Sequence, residues 1–240
     1  MRFICLSLAL TCLFPLAGLT QDLSVNLGGD GSLTLRSVQV FVLITLLSLA
    51  PGMAIMITCF PFMVTVLSIL RQAIGVQQAP PNMMIVSLAL FLTYFVMEPV
   101  FDEAWTAGVQ PMLNGTIDAE EAFGATIAPF RIFMQMRVDP DTFLMMQDLA
   151  PAKTEPGVDP NLSVLVPSFL LSEIQRGFEV GFLVFLPFLV IDLVIAAVLM
   201  SMGMMMVPPA IVSLPFKLAF FVLADGWTLL AGALVRSYSQ

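Results

Sequence analysis

Few side chains in this sequence could carry out chemistry, and the clearest of them lie in apolar surroundings. There is no histidine, the commonest general base and metal ligand, and the three cysteines are too scattered for a zinc site or a disulfide framework. Charged residues interrupt long apolar segments at Asp192, Lys217 and Asp225. An uncompensated charge at bilayer depth costs several kcal/mol, so such residues pair, or face a wet cavity or a protein neighbour.

Two roles fit these charges: a proton or ion relay, and contacts that hold helices or subunits together. Asp192 lies 15 residues before a turn centre near Val207 and Lys217 lies 10 after it. In a helical hairpin their heights along the helix axes therefore differ by roughly 7 Å. A direct pair is possible but not well matched, and Asp225 is nearer in level to Asp192. Because no histidine accompanies them and no second acid is spaced for a relay, we interpret all three as assembly contacts.

A cluster of methionines occupies a predicted turn, where side chains are normally polar. It comprises Met200, Met202, Met204, Met205 and Met206. Methionine is flexible and polarizable and adapts to changing surfaces. The cluster could pack against a neighbouring helix, or several copies could close a pore with an uncharged, water-excluding ring. Composition favours neither reading over the other.

The composition places these residues in a membrane or in an equally apolar assembly. Of the 240 residues, 59% are hydrophobic and 11% charged, against about 45–50% and about 25% in soluble domains. The mean hydropathy is +0.98. A net charge of −8 without a basic stripe argues against a nucleic-acid ligand. We expect an all-α, membrane-associated protein without a metal or cofactor.

The first 37 residues are predicted to be a leader and a linker. Residues 1–21 have the order of a signal peptide, with Arg2, an apolar core over 3–16 and small residues before Gln21. The alternative is a short anchor that is retained. Residues 22–37 are polar and contain four glycine or aspartate residues in a row, which is typical of a flexible exported lead-in.

Residues 38–101 are predicted to form a first helical hairpin. Its first run, Val38 to Leu70, has no charge over 33 residues and is too long for one span. Pro51-Gly52 and Pro61 should break or kink it. The second run, Met83 to Met97, ends at Glu98-Pro99 and is short for a span.

Residues 102–177 differ in composition and are predicted to be a small, acidic, mostly helical region. Apolar residues recur every three or four positions over Ala119 to Met136 and Pro140 to Leu149, which indicates two helices. Residues 151–160 read as a linker. A second hairpin follows over 178–240, with apolar runs on either side of the Met-rich turn.

The turns of the two hairpins resemble each other. Gly75 is followed after five residues by Pro80-Pro81, and Gly203 by Pro208-Pro209. Glycine can end one helix, and proline suits the start of the next. The similarity indicates either an internal duplication or the general preference of helical hairpins for these residues. Arg71 beside the first turn, and the acidic middle region, favour turns on the cytoplasmic side and termini outside.

Several motifs along the chain are distinctive. They are Leu70-Arg71-Gln72-Ala73-Ile74-Gly75, Gln78-Ala79-Pro80-Pro81-Asn82, Leu88-Ala89-Leu90-Phe91-Leu92-Thr93, Val166-Pro167-Ser168-Phe169-Leu170-Leu171-Ser172-Glu173, Pro187-Phe188-Leu189-Val190-Ile191-Asp192, residues 201–209, Ser213-Leu214-Pro215-Phe216-Lys217, and Asp225-Gly226-Trp227. With these motifs the sequence resembles the FliP family of flagellar export-gate subunits over about residues 38–238, and injectisome homologues share the core motifs. The signal-like segment favours the flagellar branch.

The resemblance implies a non-enzymatic subunit that assembles in several copies with two related small membrane proteins. The gate would lie at the inner membrane in the flagellar basal body, largely on the periplasmic side, and would pass unfolded flagellar proteins. The family's methionine gasket matches Met204, Met205 and Met206, in a loop with Gly203, Pro208 and Pro209. Asp192, Lys217 and Glu173 match charged positions typical of the family. Departures occur at residues 59–62 and 177–179, and residues 102–160 match weakly. The rival class is a stand-alone ion-coupled transporter that uses Asp192, Lys217 and Asp225.

Overall fold

A computed structural model describes residues 33–76, 80–150, 160–204 and 206–238 of the chain. These residues form helices and turns, and no strand occurs among them. The chain divides into two units between Leu46 and Leu47. The predicted signal peptide and residues 22–32 lie outside the described residues, whereas 33–37 of the predicted lead-in are helical.

The described part of the chain contains nine α-helices and one π-helical turn. In chain order they are α1 (Leu33–Met56), α2 (Phe60–Ile74), α3 (Asn82–Ala104), the π-helical turn (Trp105–Val109), α4 (Gln110–Leu113), α5 (Ala119–Arg137), α6 (Pro140–Leu149), α7 (Leu162–Ser201), α8 (Pro209–Leu223) and α9 (Gly226–Arg236). α3 with its extension to Leu113, and α7, are each long and apolar enough to cross a membrane. Counting each bent helix pair as one span raises the number to four. The fold is therefore all-α and of the membrane type.

The first apolar run breaks once, at residues 57–59, and not at Pro51-Gly52. Pro51 lies inside α1, so the helix is not broken there, and a kink at Pro51 stays a prediction. Membrane helices tolerate proline, because neighbouring groups satisfy the freed backbone atoms. Pro61 lies in the first turn of α2, where its missing N–H has no helical acceptor to lose. α2 ends at Gly75, whose φ of 85° is left-handed, as expected for the first turn.

The second apolar run is longer than the sequence suggested. Glu98-Pro99 does not end it, because Pro99 lies within α3 and the helix continues through the π-helical turn. The whole segment, Asn82–Leu113, is 32 residues long, so the expectation of a run too short to span is wrong. The division predicted at residues 101–102 consequently falls inside α3.

α2 is the centre of the core. Its buried residues recur every three or four positions, including Phe62, Val66 and Leu70, so one whole face is covered. The most extensive helix contact of the fold is between α2 and α7. Gly177 and Gly181 of α7 allow close approach there, since added Cβ atoms would lie 3.0 Å from Thr65 Cβ and 3.2 Å from Ile69 Cβ. Small residues four apart are a common means of close packing in membrane helices.

α7 crosses the boundary that the sequence placed at residues 177–178. It contains 40 residues without interruption, which corresponds to a length of about 60 Å, twice the apolar core of a bilayer. Pro167 and Pro187 are both internal. One continuous helix therefore joins the acidic middle region to the Met-rich turn.

The middle region contains the two predicted helices. α5 and α6 match the predicted segments to within one residue, and each begins at a capping aspartate. Asp118 accepts from the N–H of Glu121 at 2.8 Å, and Asp139 from the N–H of Thr142 at 2.9 Å. The bonds from Thr142 lower the pKa of Asp139. Both helices pack on α7, so the acidic region is anchored to the apolar part. The predicted linker is described only at Pro160.

Candidate functional site: the Met-rich turn and the ion pair beside it

The backbone of the Met-rich turn is held by its own hydrogen bonds. Gly203, with a φ of 73°, directly follows the helical cap Met202. The N–H of Gly203 donates to Met200 O and that of Met204 to Leu199 O, both at 3.0 Å. This pair of bonds is a Schellman motif, which needs a left-handed residue at the position of Gly203. α7 thus ends at a defined point.

The prolines give α8 an equally defined start. Pro208 has the extended cap conformation and Pro209 is the first helical residue, where a proline costs least. Between the two ends, Met204 is 40% and Met206 97% exposed. Met205 lies outside the described residues. In the described part of the turn, methionine side chains therefore point away from this chain.

Asp192 and Lys217 form a direct ion pair behind the turn. Lys217 Nζ donates to Asp192 Oδ2 at 2.6 Å and to the carbonyl of Ala73 at 3.1 Å. Ser213 donates to Asp192 Oδ1, also at 2.6 Å. The sequence made a direct pair possible but not well matched, because the two residues differ by about 7 Å in height along the helix axes. A four-carbon lysine stem can cover such a difference.

The pair links three helices. Ala73 belongs to the last turn of α2, where carbonyls lack helical partners and a positive charge is favourable. Lys217 is 6% exposed, and the Asp192 side chain is 38% exposed. Sequence analysis missed Ser213, although it lies four residues before Lys217 on the same face of α8. The contact with the Ala73 carbonyl could not be predicted from the sequence, because every residue type has a backbone carbonyl.

A cavity of about 850 Å³ borders this pair. Asp192 and Lys217 line it from α7 and α8, while Arg71 and Gln72 line it from α2 and Asn82 from α3. Arg71 also donates to Asn82 Oδ1. The exposed part of Asp192 therefore has room for water, whereas Lys217 is almost enclosed.

Asp225 is not enclosed in this chain, so its predicted role as an assembly contact stays a prediction. It is exposed, with a left-handed φ of 50°, and lies where α8 and α9 meet at 62°. Its Oδ1 accepts from the hydroxyl of Thr228 at 3.1 Å. The reason is the helix break: the last apolar run is two helices, and Asp225 lies between them. Aspartate tolerates this backbone conformation better than most residues.

Glu173 is fully buried and lies in a separate cluster. Arg137 Nε and Arg176 Nη1 lie 3.4 and 3.2 Å from its Oε1, and Tyr238 donates its hydroxyl to Oε2. Arg176 could have been found from its i+3 spacing to Glu173. Arg137 and Tyr238 lie 36 and 65 residues from Glu173 in sequence, and no local sequence pattern predicts that they contact it. No group of three or more His, Cys, Asp or Glu residues that could bind a metal occurs in the described ranges.

The fold and the site together define the structural class of the protein. The protein is an all-α membrane protein whose long apolar helices leave many of their large side chains uncovered, with an exposed methionine turn after α7. Exposed apolar surface of this extent is typical of lipid or subunit contact.

Comparison with known proteins identifies the family. The model described as "FliP family" matches residues 43–234. The flagellar biosynthetic protein FliP of Caulobacter vibrioides is 50% identical over 237 residues, which cover 97% of this chain and 88% of that protein. Its counterpart in Agrobacterium fabrum is 49% identical, covering 88% and 87%. That of Bacillus subtilis is 42% identical, covering 84% and 92%. The chain belongs to the FliP family.

Proposed function

We propose that the chain is a structural, non-enzymatic subunit of the flagellar protein export gate in the bacterial inner membrane. Several copies, together with two related small membrane subunits, would surround a pore for unfolded flagellar proteins, in contact with other flagellar export components. The single observation that carries the proposal is membership of a family whose relatives are flagellar biosynthetic proteins. Flagellar rather than injectisome export follows from those names.

The uncovered apolar surface supports assembly with other subunits. Large side chains are exposed along α3, α7 and α8, including Phe91, Phe182, Val190 and Leu223. The exposed large apolar side chains of α7 lie mainly between Phe178 and Met200, a length of about 33 Å that neighbouring subunits or lipid can cover. We infer that α2–α3 and α7–α8 are two hairpins that pack mainly on sister copies, with the middle region on the periplasmic side.

The size of the purified particle tests the assembly. We expect the chain, expressed with its export-gate partners and extracted in mild detergent, to run as one large complex by native mass spectrometry. A secondary transporter would instead be a monomer or dimer that binds a small solute. Recovery of only such monomers or dimers from co-expressing cells would refute the gate proposal.

We infer further that Met204, Met205 and Met206 form a gasket that closes the pore. Support comes from the rigid ends of the turn, held by Gly203 at one side and Pro208-Pro209 at the other, and from the 97% exposure of Met206. An apolar side chain held outward at a fixed point can meet its copies at an axis and exclude ions. Flexible thioethers can then part around an entering polypeptide and close behind it.

Replacing the three methionines tests the gasket. We expect the Met204→Gly, Met205→Gly, Met206→Gly variant of the assembled gate to leak ions or small molecules, because the apolar constriction widens. Small-solute permeability is measured in cells or in proteoliposomes that contain the whole complex. Met200→Ala, Met202→Ala is the matched control, since these exposed methionines belong to α7 and its cap. Unchanged permeability of a correctly assembled triple variant would exclude a gasket.

A further inference from the structure

The buried carboxylate of Glu173 lies where the middle region meets the apolar helices. Glu173 belongs to α7, whereas Arg137 is the last residue of α5. The turn after α5 is also tied to α7, because the N–H of Asp139 donates to Ser172 Oγ at 2.9 Å and Arg176 Nη2 donates to Arg137 O at 3.4 Å. These contacts hold the α5–α6 junction on the side of α7.

The chain's C-terminal segment completes this cluster. Tyr238 packs edge-on against Phe62 of α2 at 5.5 Å and stacks with Phe133 of α5 at 6.1 Å between ring centroids. Arg137 Cζ lies 4.1 Å above the Tyr238 ring, and its Nη1 donates to Ser237 O at 3.0 Å. A cation over an aromatic face is attractive, and more so when water is excluded. Tyr238 thus contacts α2, α5 and α7 together.

The chemistry makes Tyr238 hard to replace. Glu173 is fully buried, and a buried carboxylate is stable only when donors satisfy its oxygens. Both arginines approach Oε1, so the Tyr238 hydroxyl is the donor to Oε2. Burial and the neighbouring carboxylate raise the pKa of Tyr238, and the phenol keeps the proton that it donates. Removing the hydroxyl would leave a buried charged oxygen without that donor.

We propose that Ser237 and Tyr238 form a C-terminal latch that holds the α5–α6 junction against α7, with Glu173 and Arg137 as its receptor. The latch fixes the middle region relative to the long helix that carries the Met-rich turn. Its residues all lie within one chain, so it does not depend on the proposed gate or on any partner. Tyr238 is in this sense a positioning residue for Arg137 and Glu173.

Hydrogen exchange in Tyr238→Phe tests the latch. We expect amides of residues 133–138 and 234–238 to exchange about tenfold faster, because loss of a bond to a buried charge lowers the free energy of local opening. Residues 210–222 of α8 should keep their rates. Tyr94→Phe is the matched control, since Tyr94 is exposed and stacks on Phe101 of α3.

The pattern of exchange decides between a latch and a general loss of stability. Uniformly faster exchange along the chain, or unchanged rates at 133–138, would overturn the proposal. If Tyr238→Phe fails to fold, Arg137→Lys provides a second measurement. It keeps the charge but loses the planar group over the ring and the bond to Ser237, so the same two segments should respond. If either exchange measurement contradicts the latch, the export-gate proposal is not affected.

Discussion

Gly108→Ala is expected to destabilise the protein more than a methyl group added at any other glycine that the structure describes. Gly108 lies in the π-helical turn and is buried against α5. A Cβ atom there would lie 2.7 Å from Thr126 N and 2.8 Å from Ala122 O. Both are backbone atoms of a helix and cannot rotate aside. We expect a loss of about 2 kcal/mol or more, as in overpacked cores.

The measurement is thermal unfolding of the detergent-purified protein, followed by tryptophan fluorescence. Trp105, three residues before Gly108, reports on the altered segment directly. A loss of this size lowers Tm by roughly 4–8 °C for a chain of this length. Gly124→Ala is the matched control. Gly124 lies in α5, the helix that packs against Gly108, but a Cβ there would meet nothing within 4 Å. It should be neutral or stabilise by up to about 1 kcal/mol, since alanine favours a helix.

Gly108→Ala should therefore lower Tm and Gly124→Ala should not, although each variant adds a single methyl group. Equal Tm values would show that α5 does not approach the π-helical turn as closely as the structure has it. Gly115→Ala would not serve as a control, because Gly115 has a φ of 71° and any side chain is strained there.

The sequence alone predicted much of the fold, because the signals involved are local. Apolar periodicity located α5 and α6, and glycine followed by proline located both turns. The break of the first run was expected, but proline alone could not place it: Pro51 is accommodated within α1 and Pro61 begins α2. The same residue type ends a helix or is tolerated within it according to what surrounds the freed carbonyl, and that depends on tertiary packing.

The candidate site likewise contains residues that local sequence signals predicted and partners that only the packing of the helices determines. The Met-rich turn and the charges Asp192, Lys217 and Asp225 stood out, because a methionine run in a turn and a charge in an apolar segment are locally anomalous. Glu173 was identified only through the resemblance to the FliP family. Their partners did not stand out. Tyr238 joins Glu173 across 65 residues, and Lys217 bonds the Ala73 carbonyl across 144. Partners so distant are set by how helices pack, and backbone carbonyls carry no sequence identity at all.

Asp192→Asn is expected to cost more stability than Lys217→Met, even though each removes one member of the same ion pair. Removing the partner of a buried charge is usually expensive. Lys217 is 6% exposed, so without the carboxylate its ammonium retains only the Ala73 carbonyl and an amide oxygen. The Asp192 side chain is 38% exposed, borders a cavity and keeps its bond from Ser213. It can be hydrated when the lysine is gone.

We expect a loss of about 2 kcal/mol for Asp192→Asn and about 1 kcal/mol or less for Lys217→Met, since partial exposure reduces the usual cost of an unpaired charge. The double variant should match Lys217→Met alone, because no buried charge then remains. Chemical unfolding of the four proteins gives this double-mutant cycle. A larger loss for Lys217→Met would mean that the Ala73 contact, not the ion pair, holds the three helices together.

The same variants separate a structural pair from a relay. If the pair only joins α2, α7 and α8, loss of stability should be accompanied by loss of assembled gate in membranes, as measured by native gels of the extracted complex. Normal assembly with lost export of flagellar proteins would instead identify a transport role for Asp192. The contacts of Lys217 favour the first outcome, because its Nζ bonds both Asp192 of α7 and the Ala73 carbonyl of α2 and so joins the three helices.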